Sequence, residues 1–163
     1  MMNTEICIGV IELKFNYSIR TQFSFFAKDR MLSCILAKVA RQRVNITAIT
    51  VIKKHNHSNS LRLVAGSPDT ESPSDLWIVR SILKSFGVKF REEKVVQVKN
   101  ITPNVPGVFN SIFGAVWCKV KVKAMYDGEQ NASFLNVSDV KKTIRILSQK
   151  NVRQCPKNCR RFR

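Results

Sequence analysis

Hydrophobic positions along the chain switch between two periods, and each switch marks an element. The run "TQFSFF" at residues 21–26 predicts a strand, and in "KDRMLSCILAKVARQR" Met31, Leu32, Ile35, Leu36 and Val39 recur at helical spacing. "VNITAITVIKK" alternates at Val44, Ile46 and Ala48, and "LRLVAG" alternates at Leu61 and Leu63. With the polar tip "HNHSNS" between them, they predict two strands joined by a loop. After the loop "SPDTESPSD", the segment "LWIVRSILKSFG" places Leu76, Val79, Ile82, Leu83 and Phe86 on one helical face and stops at Gly87. "VKFREE" then reads as a last strand, completing strand, helix, strand, strand, helix, strand.

The same order is written a second time, the pattern of an internal duplication. "KVVQVKN" is strand-like, and "PGVFNSIFGAVW" carries Val108, Phe109, Ile112, Phe113 and Val116 at helical spacing. "KVKVKAMY" alternates, "DGEQ" supplies turn residues, "ASFLNV" returns, and "SDVKKTIRILSQK" is a helix with Ser138 or Asp139 as its N-cap. "NVRQC" is the candidate closing strand. "VNI" at residues 44–46 answers "VKV" at residues 120–122. The predicted fold class is α+β: two ferredoxin-like βαββαβ units with antiparallel sheets, each with both helices on one face and the other face open. The expected division is an N-terminal extension or extra strand at residues 1–20, a first unit at 21–94, a second at 95–152 and a basic tail at 153–163.

Composition narrows the picture. Hydrophobic residues make up 44% of 163, enough for a sizeable core. No apolar run approaches the roughly 18 residues of a membrane span, and no basic segment precedes the first apolar run, so the expectation is a soluble, cytoplasmic protein with no membrane partner. The net charge of +17 implies attraction to polyanions that weakens with salt. Lys150, Arg153, Lys157, Arg160, Arg161 and Arg163 concentrate part of it at the C-terminus. Five cysteines, an odd number without a sign of export, predict reduced thiols, with Cys7, Cys34 and Cys118 as small buried hydrophobes. Cys155 and Cys159 lack a second ligand pair, so no metal site is expected. His55 and His57 sit at the polar hairpin tip. Lys119, Lys121 and Lys123 alternate along one strand and share a face, either a solvated face or an anion-binding stripe.

The stretch most suggestive of chemistry is "NITPNVPGVFNSIF" at residues 100–113. Pro106 suits a first helical turn and Gly107 lets the backbone approach a neighbour closely. One reading is a well-made helix start. The other is a ligand receptor, since free helix N–H groups and the helix dipole favour a carboxylate, and Asn104 is placed to meet an amino group. No nucleophile, base and oxyanion set can be assembled, so no catalytic residues and no cofactor are expected.

The segments "PNVPGVFNSIFGAVW" and "VNITAI" resemble the ACT domain family, whose pattern is a strand, a loop with Asn or Asp and Pro-Gly, an amphipathic helix, then an "Ile-Asn-Ile" strand. The resemblance covers about residues 21–152 and looks most like small stand-alone proteins of tandem ACT domains. It implies a non-catalytic regulatory protein that binds a small molecule, most often an amino acid, between paired domains, as a homo-oligomer with a regulated protein partner. Carried over position by position, it implies ligand contacts at Asn104, Val105, Pro106, Gly107 and Val108, at Asp29 and Arg30 in the first-copy loop "AKDRML", and at Asn45 in the "VNI" strand. The first copy departs from the motif, because Arg30 and Met31 replace Pro and Gly. Either the second loop alone binds ligand, or each site takes one loop from each copy, with Arg30 gripping a carboxylate. The alternative function is nucleic-acid binding by a basic ferredoxin-like sheet, although no RNP-like run is present.

Overall fold

The computed structural model describes residues 15–157 and 159. Residues 1–14 of the extension, with Cys7, lie outside the described residues, as do 158 and 160–163 of the basic tail. In chain order the elements are β1 (Asn16–Lys28), α1 (Asp29–Arg41), β2 (Ile46–Lys53), β3 (Ser58–Ala65), α2 (Pro73–Ser85), β4 (Phe90–Lys99), α3 (Val108–Val116), β5 (Val122–Asp127), β6 (Ser133–Val137) and α4 (Val140–Leu147). Local chemistry sets several boundaries. Ser72 caps α2 through Asp75 N with Pro73 in the first turn, and Asp139 rather than Ser138 caps α4 by accepting from Lys142 N.

The six strands form one antiparallel sheet in the order β2-β3-β1-β4-β6-β5. Its two central strands each serve both units. β1 pairs with β4 from Asn16↔Lys99 to Phe25↔Phe90, while only its later half, from Gln22 onward, pairs with β3. β4 in turn pairs with β6 through Val96, Gln97 and Val98. "VKFREE" and "KVVQVKN", expected as two strands, are therefore one. The fourth strand of the second βαββαβ unit is the first half of β1, and "NVRQC" forms no strand.

Strand parity puts all four helices on one face. Phe23 and Phe25 of β1 pack with Leu61 and Leu63 under α1 and α2. Tyr17, on the same side of β1, joins Val96, Val98, Leu135 and Val137 under α3 and α4, and its hydroxyl donates to Leu147 O at 2.9 Å. Burial pushes that phenol up to about 12.

The opposite face was expected to be open, and its middle is covered. Val64, Val95 and Phe134 are fully buried there with Ala48 and Ala132, and Tyr126 stacks on Phe134. The sheet curls until its edges meet. Just past β5, a Cβ on Gly128 would stand 2.7 Å from Thr47 O of the far edge strand, so only glycine fits. Both units help the curl with a register shift at matching places, between Ile46 and Ala48 in β2 and between Val122 and Ala124 in β5.

The cysteine reading is overturned in two respects. Cys118 and Cys155 form a disulfide across a sequence separation of 37, and Cys34 is an exposed thiol on α1 rather than a core residue. The lysine stripe also dissolves, because β5 starts only at Val122. Lys119 instead donates to Arg153 O and Lys123 to Glu93. No helix among the described residues is long and apolar enough to cross a membrane.

Candidate ligand site

The chain between β4 and α3, residues 100–107, forms one wall of a cavity of ≈ 570 Å³, a size ordinary for small-ligand sites. Its shape follows from three backbone angles. Asn100 (φ 61°) and Asn104 (φ 60°) occupy the left-handed region, which asparagine tolerates better than most residues, and Gly107 has φ 90°. Asn104 thus has a backbone role independent of any ligand. Nothing lies within 4 Å of where a Cβ on Gly107 would project, so glycine is required there by the backbone angle and not by crowding from the chain itself.

Among the described residues no side chain caps α3, so its first N–H groups have neither intrahelical partners nor a cap there. Of the residues expected at the site, Asn104, Val105, Pro106 and Val108 line the cavity, and Gly107 lies between two of them. The opposite wall is Asp127, Gly128, Asn131 and Ala132, the turn leaving β5, which the sequence presents only as turn residues. Asp127 is the single charged residue of the lining. The cavity is thus lined by the uncapped start of α3, by one carboxylate residue on the facing wall and by the apolar residues Ile101, Val105, Val108 and Phe109.

The other expected residues are elsewhere. β1 runs into α1 without an intervening residue, so the first unit has no loop to cradle a ligand at Asp29 and Arg30. Asp29 is already engaged, by Lys53 Nζ at 2.5 Å and Asn59 Nδ2 at 2.7 Å. These hydrogen bonds, led by Asn59, hold its carboxyl below the usual range. Arg30 is exposed. Asn45 touches the site indirectly, donating Nδ2 to Gly66 O at 3.0 Å and to Glu129 Oε2 at 2.7 Å, and so ties the Asp127–Ala132 wall to the first unit.

No protein-family model matches the chain, and no curated protein matches it. Solved structures do. Protein BT0572 from Bacteroides thetaiotaomicron matches with a TM-score of 0.64 at 22% identity over 83% of this chain and 91% of that one. The ligand-free regulatory subunit of aspartate kinase from Thermus thermophilus matches at 0.56 and 9% identity, over 83% and 95% of the two chains. The corresponding subunit from Thermus flavus matches at 0.53 and 11%, over 80% and 92%. At such identities the likeness is one of fold: the chain folds as a pair of βαββαβ units like those regulatory subunits, the fold that the resemblance in sequence implied.

Proposed function

We propose that the protein is a non-catalytic regulatory module that binds a free amino acid in the cavity between the 100–108 segment and the Asp127–Ala132 turn. The observation that carries this reading is the pairing of opposite polarities across one small cavity. The uncapped start of α3 suits an α-carboxylate and Asp127 suits an α-ammonium, while the apolar stretch between them accepts a side chain. The likeness in fold to aspartate kinase regulatory subunits supports it.

Calorimetric titration with the twenty amino acids is expected to find at least one ligand. Asp127→Asn should weaken it by about tenfold or more, the scale of one charge-assisted hydrogen bond. Asn104→Gly keeps the left-handed backbone and removes the side chain, so it separates the two roles of that residue. Unchanged affinity in both variants would remove the assignment.

The cavity borders a stripe of exposed aromatics. Phe109 (49% exposed), Phe113 (45%) and Trp117 (45%) follow one another at four-residue spacing along α3 and its C-cap, and Phe109 also lines the cavity. A second copy of the chain is the occupant we propose for it, closing the cavity and giving ligand occupancy a way to bias assembly. Phe113→Glu is expected to shift the sedimentation coefficient to that of a monomer while leaving the circular dichroism spectrum unchanged. Wild-type protein that is itself monomeric at high concentration would exclude this partner.

A further inference from the structure

A second cavity, of ≈ 450 Å³, opens on the sheet face away from the helices and shares no lining residue with the first. Strand register explains what lines it. Ser24 of β1 is paired on one side with Arg62 of β3 and on the other with Arg91 of β4, so two guanidinium groups flank one hydroxyl on the same face. One step further along that face stands Phe26, paired with Ser60 and 63% exposed, with Lys89 just before β4. The other side of the cavity carries Lys123 and Asn136.

The charges here do not cancel. Glu93 is the one acid of the lining, and it is taken by Lys123 Nζ at 2.8 Å and Asn136 Nδ2 at 3.0 Å. Those contacts, Lys123 first, hold its carboxyl below the usual range. Arg62, Lys89 and Arg91 have no carboxylate at ion-pair distance among the described residues.

We propose that this cavity binds a nucleotide. The phosphate lies between Arg62 and Arg91 over Ser24 with Lys89 nearby, and the base rests on Phe26. Each group meets a need already visible in the protein: cations without a carboxylate partner among the described residues and an exposed ring on a central strand. A mononucleotide fits better than a nucleic-acid strand, because the cations surround one bounded cavity instead of tracking along an open groove.

The test is calorimetric titration of the full chain with adenosine and guanosine monophosphates, inorganic phosphate, adenosine and a ten-nucleotide oligouridylate. A nucleoside monophosphate should bind more tightly than either phosphate or adenosine alone. Arg62→Gln and Arg91→Gln should each weaken it about tenfold or more, and Phe26→Ala about fivefold or more. Asp127→Asn, which alters the first cavity, should leave nucleotide affinity unchanged, so this proposal and the amino-acid reading fail separately. Phe26 and Arg91 are exposed, so their variants should keep the wild-type melting temperature. The proposal is overturned if neither monophosphate binds, if inorganic phosphate binds as tightly as the nucleotides, if only the oligonucleotide binds, or if the Phe26 and Arg91 variants bind as well as wild type.

Discussion

Arg20→Met is expected to destabilise the protein by about 3–5 kcal/mol, the scale for removing one member of a buried charged network. Arg20 is 1% exposed on the curled face of the sheet. Its guanidinium donates to Gln97 Oε1 at 2.8 Å, Ser67 O at 3.0 Å and Ala65 O at 3.1 Å, with longer contacts to Thr47 Oγ1 and Pro68 O. The nearest carboxylate, Glu71, is 3.9 Å from Nε, and Nε itself has no hydrogen-bond partner. The side chain thus acts less as half of an ion pair than as the donor that satisfies the carbonyls of the turn after β3. Methionine matches its length and none of its donors, and stranded acceptors cost about 1–3 kcal/mol each when water cannot reach them.

A surface pair shows why the magnitude is diagnostic. Arg80 and Glu92 make a bidentate contact in the same protein, but both are partly exposed, so Arg80→Met should change stability by less than about 1 kcal/mol. Urea denaturation of both variants measures the contrast, and an Arg20 variant within 1 kcal/mol of wild type would mean that water replaces the guanidinium. The consequence reaches the proposed ligand site. Gly66 O, beside the carbonyls that Arg20 holds, accepts from Asn45, and Asn45 also holds Glu129 in the turn that walls the first cavity.

The same network explains what could be read from the sequence and what could not. The four helices and the two hairpins, β2 with β3 and β5 with β6, were legible, because each helix shows a 3.6-residue period and each hairpin strand lies between turn residues. The continuity of β4 was hidden by Arg91, Glu92, Glu93 and Lys94, four charges that look like a boundary in one dimension. In the fold they occupy the stretch between the two helix pairs: Glu92 meets Arg80, Lys94 meets Glu71, and Glu93 meets Lys123. The origin of the second unit's fourth strand was equally invisible, since no local pattern tells a strand which half of its length will serve which neighbour. The loop at residues 100–107 was legible because proline, glycine and asparagine mark backbone angles that few residues adopt. Its opposite wall was not, because Asp127 and Ala132 come near it only through the pairing of β5 with β6.

Reduction of the Cys118–Cys155 bond should have an effect of comparable size. Closing a loop with a separation of 37 residues restricts the unfolded chain, a contribution of about 4 kcal/mol on the chain-entropy account. For a chain of this length the loss corresponds to a fall in Tm of roughly 8–16 °C. The bond also fastens a strap. From Cys155 the segment runs back along α3, with Cys155 N donating to Gly114 O at 2.7 Å, Gln154 Nε2 to Ser111 O at 3.1 Å and Lys157 Nζ to Asn110 Oδ1 at 2.6 Å. Asn110 lies in the first turn of α3, next to Phe109 of the cavity wall. Opening the disulfide should therefore lower amino-acid affinity as well as Tm, whereas Cys159→Ser, at an exposed thiol, should change neither. Thiol labelling before and after reduction identifies the pair, and melting curves with and without reductant give the shift. A melting temperature indifferent to reductant would show that the hydrogen bonds to α3 hold the strap without the covalent link. In a reducing compartment the bond would open, so the change in amino-acid affinity on reduction decides whether the strap can report redox state to the proposed ligand site.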